Sequence, residues 1–253
     1  MTVVPKKRLG QHFLVDENIL RVIGRLAGLS RDDIVLEIGP GLGVLTRFLA
    51  DRVAFVHAVE LDRALEPELR DVPRAELHWG DALTLDLGAL EPPPGKLVSN
   101  LPYNVATPIV VESIERLPTV QAWCVMVQRE VADRFFAVPG TKAYGAVSVL
   151  VQLATERTGF HPVSREVFRP RPNVDSALVA FHRRASGVGP PVRRVVDSAF
   201  AHRRKTLANS LALAGVASRE DATAALATIG RAPASRAEEL APQEFVALAD
   251  ALA

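Results

Sequence analysis

At 253 residues, with 48% hydrophobic and 23% charged residues, the chain has the composition of a globular protein with a substantial core, either one large domain or one of about 180 residues with a small appendage. No apolar run approaches the ~18 residues that span a bilayer; the opening Met1–Leu9 lacks a signal peptide's apolar stretch, and the single cysteine, Cys124, excludes an intramolecular disulfide and fits a reducing cytoplasm. The net charge of +1 hides an uneven distribution, with Lys6, Lys7 and Arg8 near the start and seven basic residues against one acid, Asp197, between Arg183 and Lys205.

Taken in order, Glu17–Leu29 has helical periodicity, with Ile19, Leu20, Ile23, Leu26 and Ala27 on one face. Asp33–Ile38 is a β-branched apolar run and predicts a buried strand. Gly39-Pro40-Gly41-Leu42-Gly43 follows as a tight turn, then a helix over Val44–Ala50. A second strand spans Val53–Glu60, with a helix over Asp62–Arg70. A third spans Ala75–Trp79 and ends at Gly80-Asp81. Lys96–Ser99 is a short fourth strand, Asn104–Arg116 a helix and Val120–Val127 a fifth strand. Strands alternating with helices at this spacing predict an α/β fold, a doubly wound parallel sheet.

Gly145–Thr155 reads as a helix. Arg157–Val163 and Ser176–His182 read as paired strands, separated by the proline-stiffened Phe168–Asp175. Ser186–Pro191 is the best linker candidate, after which Val192–Ala214, Arg219–Ile229 and Pro242–Ala253 read as Ala-rich helices. The boundary falls near residue 187, giving domains of 1–186 and 187–253, the second a small α-helical one. The basic stretches suit either a solvated helix face or phosphate contact with a nucleic acid. His12, His57, His78, His161, His182 and His202 show no metal-ligand spacing, so no metal is expected.

Four strand ends carry the chemistry. Glu37-Ile38-Gly39-Pro40-Gly41-Leu42-Gly43 stands between a strand and a helix, yet the third position of a dinucleotide fingerprint falls on Val44, and no P-loop pattern exists. Glu60 at the end of the second strand is placed to accept from ribose hydroxyls, and Asp81 at the end of the third from an adenine amino group. Together they suggest an adenosine without a diphosphate. S-adenosylmethionine is such a ligand, and its positive charge suits a site edged by Glu37, Glu60 and Asp81. Asn100-Leu101-Pro102-Tyr103, between the fourth strand and its helix, offers an amide acceptor, carbonyls beside a proline that donates nothing, and an aromatic face. That set fits an exocyclic amino group on a flat ring.

These motifs together resemble the class I methyltransferases that act on adenine N6, with a Rossmann-like sheet. The segments 7–14 (KRLGQHFL), 100–109 (NLPYNVATPI), 128–132 (QREVA), 168–176 (FRPRPNVDS) and 203–207 (RRKTL) are similar to the small-subunit (16S) ribosomal RNA adenine dimethyltransferases, a likeness spanning residue 6 to about 211. One departure is His12, where many relatives carry Asn. The resemblance implies dimethylation of N6 on two adjacent adenines in a hairpin near the 3′ end of 16S rRNA. The substrate would be a small-subunit precursor, the enzyme a cytoplasmic monomer. It implies cofactor contacts at Gln11, His12, Leu14, Glu37, Gly39, Gly41, Glu60, Asp81, Ala82 and Asn100. It implies base handling by Asn100, Leu101, Pro102 and Tyr103, with Phe168 on the second face of the target base. RNA contacts would come from Lys6, Lys7, Arg8, Arg203, Arg204 and Lys205. The nearest rival, a macrolide-resistance methyltransferase acting on 23S rRNA, tends toward N-I-P-Y. DNA and protein relatives favour D-P-P-Y and N-P-P-Y, and Leu101 argues against both. A non-catalytic assembly factor would not need the intact glycine turn, acids and tetrad.

Overall fold

The computed structural model describes residues 11–184, 188–202 and 204–253. Packing divides the chain into two compact units, Met1–Ala132 with Glu156–Arg183, and Asp133–Thr155 with Arg184–Ala253. The sequence boundary near 187 is therefore close for the last crossing but assigned 133–155 to the wrong side.

The first unit is built on a sheet of seven strands: β2 (Ile34–Ile38), β3 (Phe55–Glu60), β4 (Ala75–Trp79), β5 (Lys96–Asn100), β6 (Ala122–Gln128), β7 (Thr155–Val163) and β9 (Ser176–Arg183). A separate short pair joins β1 (Phe13–Leu14) to β8 (Phe168–Arg169). The sheet order is β4-β3-β2-β5-β6-β9-β7. The pairs β4–β3, β3–β2, β2–β5 and β5–β6 are parallel, and β9 returns antiparallel to β6. The chain thus moves outward from β2 to β4, then returns to start β5 on the other side of β2. That reversal is the topological switch point, where open α/β sheets form their crevice.

Strand alternation sorts β6 onto two faces. Cys124 and Met126 join the core beneath α1 (Glu17–Leu26) and α2 (Val44–Ala50), with Ile23, Leu45 and Leu49. Burial pushes the Cys124 thiol up to about 12, as befits a core residue. Trp123 points the other way, donating its indole N–H to Ser113 Oγ at 2.9 Å on α4 (Ala106–Arg116). Helices therefore cover both faces, and the doubly wound expectation holds. Helix α1 starts because Asp16 accepts from the Asn18 and Ile19 amides, 2.7 and 3.3 Å.

Trp123 stacks on Phe181 of β9 with ring centroids 5.3 Å apart and 10° between planes. The Arg183 guanidinium lies over its ring while donating to the carbonyls of Val120, Ile114 and Leu117. Arg183, counted in sequence among a basic rim, is thus tied into the fold. Trp123→Ala should cost about 3–5 kcal/mol of stability, read from the urea midpoint, since it leaves a large cavity and removes the indole donor to Ser113, whose hydroxyl keeps its bond to the Val110 carbonyl.

The second unit holds α6 (Ala146–Ala154), α7 (Pro190–Phe200), α8 (Leu207–Leu213), α9 (Arg219–Thr228) and α10 (Pro242–Ala251), with the last residues of α5 (Arg129–Phe135). Tyr144 is buried, donates to the Leu240 carbonyl at 2.7 Å and meets Phe200 edge-on, while Phe200 packs on Phe245. These contacts draw 133–155 into this unit. The helix expected over Val192–Ala214 is broken into α7 and α8, with Thr206 extended between them. No helix among the described residues is long and apolar enough to cross a membrane.

Candidate active site

The switch point puts the glycine turn after β2 beside the tetrad after β5. The Ser99 hydroxyl donates to the Ile38 carbonyl, joining the two strand ends. Gly39 has φ +75°, and a Cβ there would stand 3.1 Å from the Pro102 ring. Gly41, at φ +58°, would press one to 2.9 Å from Phe13. Glycine is required at both positions by conformation and by space.

One cavity opens there. Its walls include Gln11, His12, Phe13 and Leu14, then Glu37, Gly39 and Gly41, then Glu60, Asp81 and Ala82, and finally Asn100 to Val105. Every residue expected at a cofactor site therefore lines a single cavity. Gln11–Leu14 form a strap over it, held by β1 pairing with β8 and by the Gln11 amide donating to Asp62 at 3.2 Å. The strap is also bonded to the tetrad. Asn100 Nδ2 donates to the His12 carbonyl at 3.1 Å, and the His12 ring stacks on Tyr103 at 5.3 Å with 28° between planes. His12 Nδ1 sits 2.8 Å from the Pro170 carbonyl, which only accepts, so this nitrogen carries the proton. The His12 side chain thus braces two loops.

Two buried atoms of the cavity residues, Glu37 Oε2 and Asn100 Oδ1, have no protein partner. Burial raises the Glu37 carboxyl to about 8, and the nearby Glu60 adds to the rise. Glu60 is also raised by burial, although Oε2 accepts from the Gly41 amide at 3.3 Å and Oε1 from the Asp62 amide at 2.8 Å. Its carboxylate ties the glycine turn to the strand end before any ligand arrives. Asp81 is exposed at the rim, with Oδ1 accepting from the Leu83 amide at 2.9 Å. A buried carboxyl whose Oε2 has no partner and an unsatisfied amide oxygen cost free energy unless a ligand brings a positive charge and donors. The residues present fit such a ligand.

Phe168 departs from expectation. It is fully buried, with Leu14, Ile19 and Leu178 in the same core cluster, and does not line the cavity. Its pairing with Leu14 in the β1–β8 ladder turns the side chain inward, so it anchors the strap and offers no face to a base. Ser176, the last residue of the same motif, is the one that reaches the site, sharing a hydrogen bond with the Tyr103 hydroxyl. Burial raises the Tyr103 phenol and keeps it protonated. Leu42, Leu61, Val105 and Ile109 add to the apolar lining; Leu42 lies in the glycine turn and Val105 and Ile109 in the 100–109 segment, but none is among the expected site residues. Of the expected RNA contacts, Lys6, Lys7, Arg8 and Arg203 lie outside the described residues, while Arg204 and Lys205 are exposed between α7 and α8.

A parallel sheet with this cavity at its switch point, a glycine turn that lacks the pyrophosphate pattern, and a buried acid inside defines a class I methyltransferase, a protein that takes its methyl group from S-adenosylmethionine. The chain belongs to the ribosomal RNA adenine dimethylase family, whose model matches residues 4–253. It is 49% identical over 250 residues to the ribosomal RNA small subunit methyltransferase A of Rubrobacter xylanophilus, covering 96% of this chain and 94% of that one. The enzyme of the same name from Geobacter metallireducens is 42% identical over 98% of this chain and 95% of its own. Among solved structures, the 23S rRNA methyltransferase ErmE superposes with a TM-score of 0.65 at 30% identity, covering 95% of this chain and 99% of that one. A dimethyladenosine transferase from Plasmodium falciparum shares the fold, with a TM-score of 0.79 at 24% identity over 94% and 96% of the two chains.

Proposed function

We propose that this protein dimethylates N6 of two adjacent adenines in the hairpin near the 3′ end of 16S rRNA, acting as a monomer on a small-subunit precursor in the cytoplasm. The observation that carries the reading is Asn100 Oδ1, a buried acceptor with no protein partner at the end of the cavity. The bond from Nδ2 to the His12 carbonyl settles which end of the amide is oxygen and fixes where it points.

S-adenosylmethionine supplies an electrophilic methyl group on a sulfonium. Glu60 takes the ribose hydroxyls, Asp81 the adenine amino group of the donor, and Glu37 gives its buried carboxylate to the donor's positive charge. At the acceptor, the N6 lone pair is delocalised into the ring, so free adenine is a poor nucleophile. Asn100 Oδ1 and the Leu101 carbonyl accept the two amino hydrogens and turn the lone pair toward the methyl group. Positioning of this kind can supply several kcal/mol, up to about 7–11 in favourable systems. After the first transfer one hydrogen remains, and one acceptor still orients the nitrogen for the second. The methylated ammonium is acidic, so no strong base is needed.

The target base must leave its stack at a cost of about a few kcal/mol. Tyr103 stacks on it from one side, the His12 ring bracing the tyrosine from behind; such stacking contributes roughly 1–3 kcal/mol. Arg204, Lys205 and the basic residues near the start hold RNA phosphates, while RNA shape selects the site. Relatives named as small-subunit enzymes are closer in sequence than the 23S enzyme, which favours the 16S substrate. Purified protein, methyl-labelled donor and separated subunits lacking the modification test this. Label should enter 30S particles alone; label in 23S rRNA would move the protein to the resistance branch.

A further inference from the structure

Outside the cavity, strand register gathers a second group of polar side chains. His57 on β3 stands opposite Glu76 on β4, and His78, two residues on, shares the face of Glu76. Their ligand atoms all lie within 4.8 Å of one another. The separation along the chain hides the group from any spacing rule, which is why no metal was expected from sequence.

The tautomers follow from the neighbours. His57 Nε2 is 2.8 Å from the Pro92 carbonyl, which only accepts, so Nε2 bears the proton and Nδ1 a lone pair. That lone pair points at His78 Nε2, 3.0 Å away. An imidazole that donates its outer N–H to a carbonyl and turns its other nitrogen inward is the arrangement that orients metal-bound histidines. Phe55 meets the His57 ring edge-on at 4.9 Å and holds it in place. His57 is buried, His78 half-buried and Glu76 exposed, so the group opens to water on one side.

We propose that His57 Nδ1, His78 Nε2 and a Glu76 carboxylate oxygen bind a divalent transition-metal ion of the zinc class, with water as the fourth ligand. Bonds of ~2.05 Å in a tetrahedron set the two nitrogens ~3.3 Å apart, so the pair opens by a few tenths of an ångström. His78 then carries its proton on Nδ1. Two imidazoles disfavour magnesium and calcium, which take oxygen ligands. His57 lies three residues before Glu60, and His78 three before Asp81, roughly 10 Å along each strand. The ion therefore ties edge strand β4 to β3 just below the two cavity acids.

Zinc titration of the full-length protein against a competing chelator dye tests the site. Wild type should take up about one equivalent and melt at a higher temperature. His78→Ala and Glu76→Gln, chosen because His57 is buried, should weaken binding at least about tenfold, the loss that even an outer-shell change causes. Cobalt(II) in place of zinc should give wild type a tetrahedral visible band that His78→Ala lacks. No saturable zinc binding by wild type, or equal affinity in both variants, would overturn the proposal.

Discussion

Asn100→Ala should lower kcat for methyl transfer about 10²–10³-fold, the scale on which loss of one positioned polar partner in a water-excluded site is felt. Donor affinity should fall far less, because Glu37, Glu60 and the glycine turn are untouched and only the Asn100 contact is lost. The variant removes the orphaned Oδ1 and also the Nδ2 bond to the His12 carbonyl, so the strap loosens at one point. The strap keeps its other ties, the β1–β8 pair, the Gln11–Asp62 bond and the His12 ring on Pro170. Single-turnover transfer alongside calorimetric donor binding separates the two effects. Transfer near wild type would remove the tetrad from its assigned role.

The second large effect is on pH. In the donor-free protein, burial holds the Glu37 carboxyl at about 8, far above its ordinary 4.5. A cationic donor favours the ionised form, so binding near pH 7 should expel a proton. Affinity should climb by roughly tenfold per pH unit between about pH 5.5 and 7.5, then level off above 8. Glu37→Gln should flatten that climb. In the donor-free fold the linkage has the opposite sign. A carboxyl with a raised pKa contributes stability that is fully present below 4.5 and lost as pH rises through 8. Calorimetry in buffers of different ionisation enthalpy reads the released proton directly. An affinity flat with pH in wild type would mean that Glu37 does not face the donor's charge.

What could be read from sequence was what depends on local rules. The glycine turn, the acids ending β3 and β4, and the tetrad each follow a strand, and a parallel sheet brings strand ends together whatever the details. Phe168 was misread because its burial depends on a two-residue ladder to a segment more than 150 residues earlier, which no local pattern encodes. The packing of Tyr144 on Phe200 and its bond to Leu240 are likewise non-local, and they carry 133–155 into the helical unit. The break between α7 and α8 was hidden because the Ala-rich pattern runs on through it, while Thr206 takes up extended backbone. His57, Glu76 and His78 meet only through β-register.

In the proposed reaction this cavity presents the exocyclic nitrogen of adenine, and no other atom, to the methyl group. Nucleoside mass spectrometry of 16S rRNA from particles incubated with the protein and donor tests it most directly. N6,N6-dimethyladenine should appear at two adjacent positions in the 3′ hairpin. Methylation at a ring nitrogen, a ring carbon or a ribose oxygen would contradict it.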